Sequence, residues 1–134
     1  MADVQLSTLG SIIKTAYSAQ ANAFTDALYG RLIGEQTEIA TTTHTVTNAD
    51  LAGNVLRKMN NAAAITVTVP AGLTGTEIAT WIQTGAGQVT FAPAVGVTIS
   101  SAGGLLATRV QFSSASLIPD TDVADLYYLV GDLA

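Results

Sequence analysis

Cysteine is absent from the 134 residues, which excludes disulfides, zinc–thiolate centres and cysteine nucleophiles. Charge is scarce, at 11% of residues against about 25% in an average globular chain. Basic residues are scarcest: Lys14, Arg31, Arg57, Lys58 and Arg109 are all there are, and they form no stripe. Phosphate neutralisation dominates nucleic-acid affinity, so a chain of net charge −5 is poorly suited to DNA or RNA. No apolar run approaches the ~18 residues of a membrane span. The opening residues, Met1 to Gln5, contain no basic region leading into an apolar core. The expectation is a soluble protein with no membrane partner and no secretory leader.

What remains is apolar and small. Apolar residues make up 49% of the chain, and threonine, serine, glutamine and asparagine must cover the surface that charge does not. A chain this short leaves much of its surface exposed as a monomer. High apolar content with little charge therefore implies burial against copies of itself or against a partner. The length suits one domain with a small appendage.

Two regions differ in period. Between Ser7 and Ile33, Leu9, Ile12, Ile13, Ala16, Tyr17 and Phe24 recur at helical steps, continued by Ala27, Leu28 and Leu32. Gly30 and Gly34 read as a stop. Residues 1–40 are expected to be a helical N-terminal arm and linker, and residues 41–134 a β-rich module. In the second region Ile65, Val67 and Val69 alternate with threonines and close at Pro70. Further strands are expected over 54–59, 78–83, 88–91, 97–100, 117–118 and 126–130. A longer strand over Leu105–Ser113 is expected to alternate through Leu106, Thr108, Val110 and Phe112. Glycine and proline turns separate them. The strands are too close together for intervening helices, which argues against a βαβ sheet. The fold expected is mainly β: an antiparallel β-sandwich or barrel-like module carrying a short helical N-terminal arm. No exact internal repeat is visible.

Each candidate for chemistry has a simpler reading. Ser11 and Lys14 match the S-x-x-K spacing of serine–lysine acyl enzymes, but the companion motifs are missing, and a surface pair on a helix accounts for them. His44 is the only histidine, in an extended threonine-rich stretch; a general base also needs a nucleophile and an orienting carboxylate. Asp120, Asp122 and Asp125 offer carboxylates to calcium, but the EF-hand glycine and glutamate are missing, and an acidic turn suffices. Gly85 and Gly87 lie between strands, where a tight turn is expected rather than a dinucleotide loop. Trp81, Phe91, Phe112, Tyr127 and Tyr128 could line a sugar groove, though aromatics in strands are more often core. No catalytic, cofactor-binding or metal residues are assigned, and no enzyme activity is expected.

Two segments carry a resemblance. Leu9-Gly-Ser-Ile-Ile-Lys-Thr-Ala-Tyr17, then Asn22-Ala-Phe-Thr-Asp-Ala27 and Leu32-Ile-Gly34, resembles the N-terminal module of bacteriophage fibre and head-fibre proteins, where IKTAYE leads into NAFTDAEKxKLAGIE. Ser18 replaces the glutamate, and Leu28-Tyr29 replaces the charged pair, which makes the arm more apolar. Thr47 to Leu56, Ile65 to Pro70, Gly85 to Phe91, Gly96 to Ile99 and Tyr128 to Leu133 resemble a β module of phage virion proteins. The resemblance implies a homotrimer on the virion that decorates heads or forms part of tail fibres; the short length favours the capsid surface over the tail, in contact with the major capsid protein or another virion protein. A tail-fibre or baseplate component, or a carbohydrate-binding module with a host glycan as partner, is the alternative. Ile12, Ile13, Tyr17, Phe24 and Leu28 are the expected docking contacts. Leu105, Val110 and Phe112 are expected in the β core or at the trimer interface.

Overall fold

The computed structural model describes residues 15–23 and 35–134. The chain divides into two units, Met1–Ile33 and Gly34–Ala134. In the first, residues 15–23 are helical, here α1, rich in alanine and exposed at each of these positions.

The second unit is built from period-two alternation. Its strands are β1 (Glu35–Ile39), β2 (Thr43–Thr45), β3 (Val55–Met59), β4 (Ile65–Val69), β5 (Ala79–Gln83), β6 (Val89–Pro93), β7 (Thr98–Ser101), β8 (Ser114–Pro119) and β9 (Leu126–Gly131). They form a six-stranded sheet, ordered β1-β3-β5-β8-β9-β7, and a three-stranded sheet, ordered β2-β4-β6. The chain passes from one sheet to the other and back, so β1–β2, β3–β4 and β5–β6 are three successive rungs of a solenoid. Each strand pairs in parallel with its counterpart one rung later. Parallel neighbours need a crossover of a dozen or more residues. Here the strand of the opposite sheet supplies it, so no helix is required.

Alternate residues face inward, and most of them are apolar. Met59, Ile65, Val67, Val69, Trp81 and Phe91 are at most 1% exposed. Trp81 and Phe91 meet edge-to-face with ring centroids 5.4 Å apart, a favoured aromatic geometry. Rungs are also tied at their corners. Asn61 donates from Nδ2 to Ala40 O of the first rung at 2.6 Å, and its own carbonyl accepts the Gly87 N–H of the third at 2.8 Å. A Cβ on Gly87 would collide with the Ala63 backbone, and one on Gly85 with Asn61. The sequence needs glycine there because one turn lies directly on another.

The stack ends at β8, which runs antiparallel to β5. Strand β9 then pairs antiparallel with β8, and β7 parallel with β9. Segment 105–109 meets the edge of β6 through the Thr90–Ala107 bridge and the C-terminal residues through Thr108–Leu133.

Two expectations are corrected. The chain is mainly β with a short helix near its N-terminus, but its sheets are parallel and mixed, solenoid-like, and not an antiparallel sandwich. Alternation shows that a strand has two faces; it does not show the direction of its neighbour. Within the segment expected as arm and linker, Glu35–Ile39 form β1, and the second unit begins at Gly34. Leu105–Ser113 is not a strand: the chain turns at Val110–Ser113, and Phe112 adopts φ 70°. Leu105, Val110 and Phe112 are 41%, 52% and 68% exposed, so none is in the core of the chain. The reversal at Val110–Ser113 breaks the alternation that would have carried them inward.

Candidate functional site

The first described rung carries Thr37 and His44 at inward positions, beside apolar Ile39. Thr37, Arg57, Trp81 and Ala115 lie in one row across the larger sheet, and His44, Val67 and Phe91 in one row across the smaller. Arg57 therefore sits inside the second rung and reaches back to the first. Its Nε donates to Asp50 Oδ1 at 2.7 Å, and its Nη1 to Glu35 Oε1 at 2.8 Å and Thr37 Oγ1 at 2.9 Å. Asp50 is 1% exposed in the turn after β2. Its Oδ2 accepts the Thr47 N–H at 2.8 Å and lies 3.2 Å from both Thr47 Oγ1 and His44 Nε2. The His44 ring stands 6.4 Å from that of Trp81.

Electrostatics follow from this geometry. Burial pushes the Asp50 carboxyl up, but hydrogen bonds from His44, the Thr47 amide and Arg57 outweigh it and hold Asp50 well below the usual carboxylate range. The Arg57 hydrogen bond and charge pull Glu35 down. Burial disfavours the Arg57 cation, and its bonds to Glu35 and Asp50 more than offset this. Arg57 is paired with two carboxylates through Nε and Nη1, the kind of arrangement in which buried charge persists.

Chemically, the pairing of His44 with Asp50 has the form of an oriented base. No reaction follows from it: among the described residues Asp50 is the hydrogen-bond partner shown for His44, and no nucleophile is bonded to the ring. Among the described residues the network lies at the first rung, on the side of the core away from β8. Strand β1, at the sheet edge, carries Glu35 and Glu38, charges of the kind that discourage edge-to-edge pairing.

The other candidates separate in space. Asp120 accepts the N–H groups of Asp122 and Val123 and the Tyr128 hydroxyl, while Asp125 accepts the Gly72 N–H. These carboxylates serve different turns, and among the described residues no group of three His, Asp or Glu converges as a metal site. Trp81, Phe91 and Tyr127 are core residues. Phe112 and Tyr128 are exposed but lie toward opposite ends of the strands, roughly 20 Å apart at ~3.3 Å per residue, so they make no common sugar platform. Tyr17 is 73% exposed on α1. Ser11, Ile12, Ile13, Lys14, Phe24 and Leu28 lie outside the described residues.

The outer faces of the two sheets differ. On the smaller sheet Thr43, Thr66 and Thr90 form one outward row, and Thr45, Thr68 and Ala92 the next. On the larger sheet Ile118 and Tyr128 share a row, beside Thr80, Ser116 and Val130, and beside Ile82 and Ser114. Sequence reasoning missed the Arg57–Asp50–Glu35 network, because its members are spread over three elements. The one available signal was Arg57, an arginine at an inward position of the alternation Val55, Arg57, Met59.

No family model, curated protein or solved structure matches the chain.

Proposed function

We propose that this chain is a non-enzymatic bacteriophage virion protein, a capsid decoration or head-fibre protein that acts as a homotrimer and docks on the major capsid protein through its N-terminal arm. The observation that carries the reading is a filled solenoid core with apolar side chains gathered on an outer sheet face, in a chain with little surface charge. Burying such a face stabilises an assembly at about 25 cal/mol per Å², and symmetry repeats the gain in every copy. The exposed Tyr17 on α1 supports an adhesive arm, and so does the resemblance of residues 9–34 to phage fibre leaders.

The test is location and occupancy. Antibody-gold labelling of purified particles should mark heads, and full-length protein added to heads lacking it should restore the label. A chain truncated at residue 34 should keep the β module, which has its own core, and fail to bind. Label confined to tails would move the protein to a fibre or baseplate. Full occupancy by the truncated chain would remove the docking role of the arm.

A further inference from the structure

We propose that β1 is a releasable strap, latched to the β module through Arg57, that leaves the larger sheet while the rest of the solenoid stays folded. The inference concerns this strand alone and holds whatever the N-terminal arm binds.

The first observation is how little β1 buries. Its register sets Glu35, Thr37 and Ile39 opposite Val55, Arg57 and Met59, the buried residues of β3. Two of these three β1 residues are polar, and of the five in the strand only Ile39 is even partly buried. The corresponding residues of β5, Ala79, Trp81 and Gln83, are at most 2% exposed. Releasing β5 would put a tryptophan into water. Releasing β1 costs its bonds to β3, part of one isoleucine and the cover it gives its β3 partners. Among the described residues β1 also stands last in its sheet, paired with β3 alone.

The second is the latch itself. One atom, Arg57 Nη1, donates to both polar inward residues, Glu35 Oε1 at 2.8 Å and Thr37 Oγ1 at 2.9 Å. Arg57 Nε is meanwhile committed to Asp50 Oδ1 within the module. When β1 leaves, Arg57 keeps its buried carboxylate and Nη1 turns to water. No buried charge is stranded, which removes the largest penalty of opening a charged contact.

The third is a hinge. Ile39 O accepts the Asn60 N–H at 2.8 Å, and Ala40 O accepts from Asn61 Nδ2 at 2.6 Å. Just beyond, the Thr66 N–H donates to Thr42 O and the Val46 N–H to Thr68 O, both at 2.9 Å. Val46 and Leu51 are 1% exposed. The chain is therefore pinned where β1 ends, and opening stops there. Segments with few buried apolar contacts are those that open below the global unfolding free energy. Glu35 follows Gly34, the start of the second unit. Release of the residues before Ile39 adds roughly 13 Å of extended chain, at ~3.3 Å per residue, to the link between the units.

The test is native-state amide exchange of the full chain, followed by NMR. The β1 amides bonded to β3 should exchange roughly a hundredfold faster than those of β4 and β5, yet slower than in an unstructured peptide. Glu35→Ala should speed β1 about threefold and leave β4 and β5 unchanged. Leu129→Ala weakens the whole fold, so it should speed β4 and β5 roughly a hundredfold and leave β1 unchanged. If that variant does not fold, low urea on the wild type gives the same contrast, because global opening exposes more surface than release of one strand. Rates for β1 equal to those of β4 and β5, and raised with them by Leu129→Ala or urea, would overturn the strap. Unprotected β1 amides would overturn it too, since no closed state would exist. Unchanged β1 exchange in Glu35→Ala would overturn Arg57 as the latch.

Discussion

The two ends of the described stack differ in chemistry. At the first rung, Arg57, Asp50, Glu35 and His44 bring ionic and hydrogen-bonding groups into the end of the core. At the last, antiparallel β8 and β9 lay Ala115, Leu117 and Leu129 over it, each at most 1% exposed. An apolar cap gains roughly in proportion to the area it buries and is indifferent to pH. A charged cap depends on every partner being present and ionised. The lesson is that a solenoid end need not be apolar if each buried charge has its own donor or acceptor.

The sharpest way to break the comparison is Asp50→Ala. It removes the buried carboxylate from Arg57 Nε, leaving that guanidinium only Glu35 and Thr37, and takes the acceptor from the Thr47 amide; a loss of about 3–5 kcal/mol is expected in denaturant unfolding. Replacing both charges, Asp50→Leu with Arg57→Met, should recover part of that loss, because no buried charge is then left unpaired. At the apolar end, Leu129→Ala should cost roughly 3 kcal/mol through lost burial and a residual cavity. Thr108→Val comes next. Thr108 Oγ1 donates to Gln83 Oε1 at 2.5 Å and accepts the Val89 N–H at 3.0 Å, so both would lose a buried partner, at about 1–3 kcal/mol.

Acid separates the ends further. Because the folded-state pKa of Asp50 lies below its unfolded value, the unfolded chain takes up the proton first. The stabilisation is complete above pH ~4 and drains as pH falls below it. Thermal melts from pH 7 to 3 should show this fall in wild type and in Leu129→Ala, and a flatter profile in Asp50→Asn. The smallest effect is expected at Arg109→Ala. Its bidentate pair with Asp132 is exposed, so the melting temperature should not move measurably.

Much of the β architecture was legible. The inward residues of β3, β4, β5 and β6 follow the alternation, and Gly85 and Gly87 mark a turn between strands as expected. Strand direction was not legible, since alternation looks the same in parallel and antiparallel pairs. The repeat was hidden as well. The step from Glu35 to Val55 is shorter than that from Val55 to Ala79, and the rungs share inward and outward character rather than identical residues. Leu105–Ser113 misled because its alternation is strand-like, while the backbone reverses at Phe112.

By itself the sequence determined which residues must leave water and which must turn the chain, because both follow from side-chain chemistry and local backbone preference. Only the tertiary structure decided that His44, Asp50, Arg57 and Glu35 meet, and that the apolar outward residues collect on one sheet face while the threonines collect on the other. Those groupings depend on register between rungs twenty or more residues apart, and register is set by the packing of the whole stack.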